Sequence, residues 1–166
     1  MQKDPTIEQE ASPKPVLDEK DKAILRYLQT NAKATVREIA TQVHLSTTPV
    51  HERIKRMEDE GVILQYATLM NHSLINKGLM AICYISLKEH SKKSGGKFIK
   101  TISEMTEVIE FYIISGAFDF MLKVVASNMD DYYNFHVNKL GQVENIAQVQ
   151  STFIMGVIKA GQPAIT

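Results

Sequence analysis

Hydroxyl groups and cations are concentrated between residues 46 and 56, at spacings that one face of a helix produces. Proteins use such groups to contact base edges and phosphates. An ordinary helical subdomain with a solvated charged face has the same pattern, so the spacing alone leaves both interpretations open. The candidate DNA contacts are Arg37, Ser46, Thr47, Thr48, His51, Arg53, Lys55 and Arg56.

A second candidate site is the run Ser115-Gly116-Ala117-Phe118-Asp119. A turn at Gly116 exposes backbone N–H groups that can bind a carboxylate, and Asp119 can bind an ammonium group. Together they predict a site for an amino acid. In the alternative interpretation, Gly116 only forms a hairpin turn that Asp119 caps. Further candidates to line the pocket, on the last predicted strand, are Ser151, Thr152 and Met155.

The sequence shows little that predicts catalysis. The histidines lack zinc-site spacing, and the chain has neither a glycine-rich phosphate loop followed by lysine nor a nucleophile elbow. We therefore expect a binding protein without a metal or cofactor. The five histidines are His44, His51, His72, His90 and His136.

Composition predicts a soluble protein whose DNA affinity comes from local charge. The 166 residues include 19 basic and 19 acidic side chains, but residues 33–56 have five basic against two acidic, a local excess of three. No apolar run approaches the roughly 18 residues of a membrane span. Residues 1–16 contain three prolines and no apolar signal core, so we expect a disordered tail and a cytoplasmic chain.

Three short helices must position the candidate DNA contacts. An aspartate cap and an apolar stripe from Leu17 through Asp21 to Leu28 predict the first helix. Thr35 and Glu38 form the capping-box pattern of the second. The third runs from Thr47 to Glu60 and ends at Gly61, with Val50, Ile54 and Met57 facing inward.

The run Val62–Leu69 is rich in β-branched and aromatic residues, which favours a strand directly after the third helix. A strand in this position is typical of the winged variant of the helix-turn-helix. We predict a winged helix-turn-helix domain over residues 17–70 and a linker over 71–78.

The second half predicts a βαββαβ order over residues 79–160. The expected strands are Met80–Leu87, Val108–Ser115, Phe118–Val125 and Val143–Ile158, with helices around Phe98–Met105 and Met129–Leu140. This is a ferredoxin-like sheet with both helices on one face, so the whole chain is classed as α+β.

Both faces of the first predicted strand are mainly apolar, although a sheet with helices on one face should alternate apolar and polar residues. The second face therefore predicts contact with another protein surface, most simply the same domain of a second chain. The alternative is that the N-terminal helices cover this face.

The joint order of these motifs resembles the Lrp/AsnC (feast/famine) family of transcriptional regulators over roughly residues 16 to 158. The similar segments are 17–25, 45–58, 61–63, 67–71 and 114–120. The resemblance implies a winged helix-turn-helix joined to a ligand-sensing domain that forms dimers and commonly octamers, with amino acids bound between dimers. Two positions depart from the family pattern: His44 stands where glycine is usual, and Ala117 where an acidic residue is frequent.

A related group, the sirohaem decarboxylases, resembles both halves of the chain and provides an enzyme alternative. His136 or His90 would then be the candidate acid. An oligomeric ligand sensor without DNA binding is a third possibility. The intact set of polar and basic residues from Ser46 to Arg56 favours double-stranded DNA as the partner.

Overall fold

The computed structural model describes residues 15–159, so most of the predicted disordered tail, residues 1–16, lies outside the described residues. The described chain forms two compact units, which divide between Thr68 and Leu69. In this part of the chain, no helix has both the length and the apolar character needed to cross a membrane.

The N-terminal unit contains three helices: α1 (Glu19–Thr30), α2 (Val36–Val43) and α3 (Thr47–Asp59). Asp18 caps α1, and Thr35 with Glu38 forms the predicted capping box of α2. Lys20 also donates to the carbonyl of Val43 at 2.7 Å, which ties α1 to the end of α2. The three helices bury one core, formed by Ile24, Leu25, Leu28, Ile39, Ala40, Val43, Val50, Ile54 and Met57.

The turn between α2 and α3 contains the departure from glycine noted above. His44 has φ 54° and ψ 54°, which is the left-handed conformation that glycine adopts at lowest cost. The helix-turn-helix geometry is therefore retained with a histidine in this position.

The predicted wing strand at 62–69 is wrong: none of these residues belongs to a strand. Instead, the amides of Val62 and Ile63 both donate to the carbonyl of Met57, which completes the end of α3. Tyr66 then donates to Glu58 at 2.7 Å. β propensity does not make a strand without a partner to hydrogen-bond, and no segment within residues 15–159 pairs with this one.

The C-terminal unit confirms the βαββαβ order. Its elements are β1 (Leu79–Leu87), α4 (Lys92–Ser103), β2 (Val108–Ile113), β3 (Phe120–Ala126), α5 (Met129–Asn134) and β4 (Ile146–Phe153). All strand pairs are antiparallel, in the order β2-β3-β1-β4. A short 3₁₀ helix, His72–Ile75, precedes β1 within the predicted linker.

Several predicted bounds in the C-terminal unit differ from the structure. The helix predicted around Phe98–Met105 spans Lys92–Ser103. The last strand spans only Ile146–Phe153, not Val143–Ile158. The last helix is α-helical only to Asn134 and continues as a π-helical turn, Phe135–Lys139, and a 3₁₀ turn, Leu140–Gln142. Phe135 and Leu140 are both buried and five residues apart, which is the spacing of the i→i+5 bond of a π-helix.

The two faces of the sheet have different surroundings. On one face, Ala81, Cys83, Ile85 and Leu87 of β1 are buried under side chains of α4 and the last helix. On the opposite face, Met80, Ile82 and Tyr84 are only partly buried. This opposite face, also formed by Met121 and the Glu110–Lys123 ion pair, is called the outer sheet face below.

Candidate nucleic-acid interface and effector loop

The outward side of α3 is defined by the rotation of the helix, about 100° per residue. Val50, Ile54 and Met57 are buried, so the side opposite them is centred on Thr48, Glu52 and Lys55. Ser46 precedes the helix and makes no capping hydrogen bond with its side chain. Within residues 15–159, no other protein group pairs with the exposed side chains of Arg37, Ser46, Thr47, Thr48, His51, Glu52 and Lys55.

Arg53 and Arg56 lie on the flank of α3 that meets α1, where they bind a buried carboxylate. Arg53 Nη1 lies 2.7 Å from Asp21 Oδ1 and 2.6 Å from Asp18 Oδ2, and Arg56 Nη2 lies 2.6 Å from Asp21 Oδ2. The amide of Asp18 also donates to Asp21 at 3.0 Å. Asp21 is 1% exposed, while the three other charged side chains of this ionic network between α1 and α3 are partly exposed.

The network explains how a carboxylate remains charged inside the helical core. Burial opposes ionisation of Asp21, but hydrogen bonds from Arg53, the amide of Asp18 and Arg56 outweigh it and lower the pKa of this carboxyl. Hydrogen bonds to the carboxylates of Asp21 and Asp18 raise the pKa of Arg53. Asp21 therefore holds two arginines of α3 against α1 as a charged group.

The network includes Arg53 and Arg56, two of the residues predicted to contact DNA. Their contact with DNA stays a prediction, whereas their contact with Asp21 is present in the structure. The sequence contained a signal for it, because Asp21 interrupts an otherwise apolar helical stripe and needs a cation. Glu52 was missed as a possible base contact because it was counted only as an acid within a basic segment.

The predicted effector loop lies between β2 and β3, at the end of the sheet where β1 finishes. The amides of Ile114 and Asp119 are used, donating to the carbonyls of Asp119 and Ile85. In the described chain, the amides of residues 115–118 donate to no other protein atom. Gly116 has φ 138°, which only glycine adopts without strain. These unpaired amides are available to a carboxylate.

The other loop residues attach it to the sheet. Phe118 packs on Tyr84 of the outer sheet face, with ring centroids 5.5 Å apart. Asp119 Oδ2 accepts the amide of Leu87 at 2.8 Å, while Oδ1 lies 2.9 Å from Nε2 of His90. The bond from Leu87 first, and that from His90 next among the favourable contacts, lower the pKa of Asp119. Asp119 is therefore an anion in part-buried contact with the end of β1.

The structure does not bring the β4 candidates to this loop within one chain. Ser151 pairs in register with Cys83 and accepts from the Tyr132 hydroxyl at 2.6 Å, so it faces the helices. Thr152 pairs with Ile82 on the other face, and Met155 is exposed beyond the strand. The loop instead adjoins Ile85 and Leu87, several residues further along β1. Their role at the effector site thus remains a prediction.

Two domain models match the chain. Residues 17–63 match a winged helix-turn-helix DNA-binding domain, and residues 80–164 match the Lrp/AsnC ligand binding domain. The chain belongs to the Lrp/AsnC family. Among its curated relatives, the DNA-binding transcriptional activator DecR of Escherichia coli K12 is 31% identical over 144 residues, which cover 87% of this chain and 95% of DecR.

Solved structures agree with this membership. A transcriptional regulator from Neisseria meningitidis, solved in complex with L-Met, has a TM-score of 0.83 at 30% identity, and the match covers 87% of this chain and 94% of that one. An AsnC family regulator from Agrobacterium tumefaciens has a TM-score of 0.84 at 34% identity, covering 89% and 96%.

Lrp/AsnC membership decides between the classes of protein that the sequence left open: a DNA-binding regulator, an enzyme, or a ligand sensor without DNA binding. The relatives are named as transcriptional regulators and this chain has their helix-turn-helix, so it is a DNA-binding transcriptional regulator and not an enzyme. The tetrapyrrole-enzyme alternative is not favoured. Its two candidate acids also have other contacts, because His136 packs beside Tyr132 and His90 contacts Asp119.

Proposed function

We propose that this Lrp/AsnC regulator recognises a specific duplex DNA sequence through the outward side of α3. The observation that supports this most directly is the absence of intramolecular partners for Thr48, Lys55 and their exposed neighbours within residues 15–159. Lys55 and Arg37 supply charge for phosphates, while the hydroxyls of Ser46, Thr47 and Thr48 supply hydrogen bonds to base edges. Two such helices in a dimer contact half-sites about 34 Å apart.

The outer sheet face supports a homodimer as the working unit. Its apolar side chains from β1 are only partly buried in a single chain. The ion pair between Lys123 and Glu110, at 2.8 Å, is a polar contact point on this apolar face. A second copy related by a two-fold axis matches such a face to itself. From the family resemblance we propose further assembly, to an octamer, in the cytoplasm.

The effector is proposed to be an amino acid held by the loop 115–119. Its carboxylate accepts the unpaired amides of residues 115–118, and its ammonium group binds Asp119. The L-Met complex of the Neisseria meningitidis relative supports this class of ligand. Phe118 packs on Tyr84 of the outer sheet face, so the loop adjoins the proposed dimer surface. Effector binding then shifts assembly and DNA affinity together.

Selection from a random duplex library at near-physiological salt tests the DNA part. The full chain is expected to enrich a pseudo-palindromic site. Thr48→Ala is expected to lose the base preference at one position of each half-site, whereas Lys100→Ala, an exposed lysine of α4, serves as the matched control. If the folded dimer enriches no sequence, with and without an amino-acid mixture, the proposed recognition surface is wrong.

Thermal unfolding with each of the twenty amino acids tests the effector part. At least one is expected to raise the unfolding temperature of the full chain and to change its sedimentation profile. The unliganded chain should sediment as a dimer or a larger assembly. A monomer would contradict the proposed use of the outer sheet face.

A further inference from the structure

His90 already contacts Asp119, the carboxylate that we propose binds the effector's ammonium group. Asp119 uses Oδ2 for the amide of Leu87, at 2.8 Å, and Oδ1 for Nε2 of His90, at 2.9 Å. The His90 side chain is 68% exposed and that of Asp119 is 30% exposed, so a small molecule can reach the pair. An ammonium group that approaches Oδ1 therefore meets the imidazole first or must share the oxygen with it.

The main chain on both sides holds His90 in this position. The amide of Glu89 donates to Asn145 Oδ1 at 2.8 Å, and Asn145 Nδ2 donates back to the carbonyl of Glu89 at 2.9 Å. Ser91 caps α4 by accepting the amide of Ser94. Because both neighbours are fixed, the backbone at His90 needs no further ordering when the imidazole contacts Asp119. The contact is thus built into the turn between β1 and α4.

The charged groups around His90 single out Asp119 as its acidic partner. Asp119 is the one charged residue of the loop 114–119. Lys88, Glu89, Lys92 and Lys93 flank His90 along its own segment. From the turn before β4, Glu144 is already paired with Lys97 at 2.5 Å.

We infer that His90 is an internal competitor for the effector's ammonium group, and so a specificity-determining residue of the effector site. This inference rests on the proposed amino-acid site. The imidazole of His90 lies against the Asp119 oxygen that the effector's ammonium group would contact, so the effector must displace the imidazole or share that oxygen with it. Without His90, effectors with a free α-amino group then bind more tightly, whereas N-acetylated analogues gain nothing.

Titration calorimetry with the full chain tests the competition. The probe is the amino acid that gives the largest thermal shift, measured with all variants in the same buffer. We expect Kd in His90→Ala to be about fivefold lower than in the wild type, the size of one exposed ion pair. The N-acetylated form of the same amino acid should show no such difference. Lys88→Gln, which removes a neighbouring charge but keeps His90, should retain the wild-type Kd.

A second measurement examines the pair without an effector. The side-chain carboxyl carbon of Asp119 is followed by NMR in the full chain during acid titration. Since the hydrogen bond from His90 lowers the pKa of Asp119, that pKa should rise in His90→Ala, which has no donor, and stay unchanged in Lys88→Gln. An equal Asp119 titration in wild type and His90→Ala shows that the contact is absent and overturns the inference.

The outcomes separate this inference from the proposed function. Equal Kd values in wild type and His90→Ala overturn the role of His90 while the effector site stands. If no amino acid binds, the effector site itself fails and His90 loses its role with it. The Asp119 titration then still reports whether the pair exists as a structural contact alone.

Discussion

Asp21 in the helical unit and Asp119 in the sheet unit are two carboxylates with similar partners and different surroundings. Each accepts a main-chain amide and a basic side chain. Asp21 is 1% exposed and binds two arginines, whereas Asp119 is 30% exposed and binds one histidine. A carboxylate is therefore a fixed structural contact where it is buried and an exchangeable contact where it is partly exposed.

The difference follows from desolvation. A buried carboxylate that loses its cations has neither water nor another donor to replace them, so its contacts exchange only when the helices separate. At the surface, water or an incoming ammonium group replaces the partner at little cost. Arg53 and Arg56 therefore keep their contact with Asp21 in the folded helix-turn-helix. A ligand, in contrast, can displace His90 from Asp119.

Asp21→Ala gives the largest expected effect. It removes the acceptor of charge-assisted hydrogen bonds from two arginines and of the Asp18 amide in the cap of α1, so we expect the free energy of unfolding to fall by about 3 to 5 kcal/mol. Urea unfolding of the full chain measures the loss, with Asp130→Ala, an exposed aspartate in the first turn of α5, as the control. A loss close to that of Asp130→Ala would mean that the network contributes no more than a surface pair.

Ile54→Ala tests whether packing rather than charge holds α3. The side chain is buried in the helical core, so we expect a loss of about 2 to 5 kcal/mol of unfolding free energy. The same urea unfolding experiment checks it. Losses that simply add in the Asp21→Ala/Ile54→Ala double variant would show that the ionic network and the core act independently.

Acid should also distinguish the two carboxylates. The pKa of Asp21 is lowered by folding, so its stabilisation is present above the unfolded value, about 3.9, and is lost as the pH falls through the folded value. In Asp21→Asn we expect unfolding free energy to depend less on pH between about pH 5 and pH 2. Asp119→Asn should change this dependence less. Equal changes in the two variants would contradict the comparison.

The salt dependence of DNA binding separates the free cation of α3 from the paired ones. Each phosphate contact contributes about −0.9 to the slope of log affinity against log salt concentration. Lys55→Ala should reduce the slope by about that amount. Arg56→Ala should lower stability and leave the slope of the folded protein unchanged. A reduced slope in Arg56→Ala would show that Arg56 contacts a phosphate in addition to Asp21.

Asp119→Ala gives the smallest expected effect on stability, about 0 to 1 kcal/mol, because water can replace the carboxylate at Leu87. The thermal shift caused by the amino-acid effector should nevertheless disappear. Comparing thermal unfolding of the variant with and without the effector measures both quantities. A retained shift would place the ammonium group elsewhere.

The helices, their caps and the βαββαβ order were predictable because they depend on local periodicity and on capping residues close in sequence. Asp18, Thr35 with Glu38, and Gly61 each have the predicted role. The strand at 62–69 and the full-length last strand were not predictable from propensity, since a strand exists only where another segment pairs with it. The π-helical turn at Phe135–Lys139 was not predictable either, because it depends on the burial of Phe135 and Leu140 under the sheet.

By itself, the sequence determined the two-unit organisation, the candidate residues of α3 and the loop at Gly116, because these depend on residue types at short spacing. Only the tertiary structure decided which cations are free. Asp21 is 32 residues from Arg53, and His90 is 29 residues from Asp119. Such ion pairs depend on how α1 packs on α3 and how β1 ends beside the loop, and neither arrangement is encoded in a local pattern.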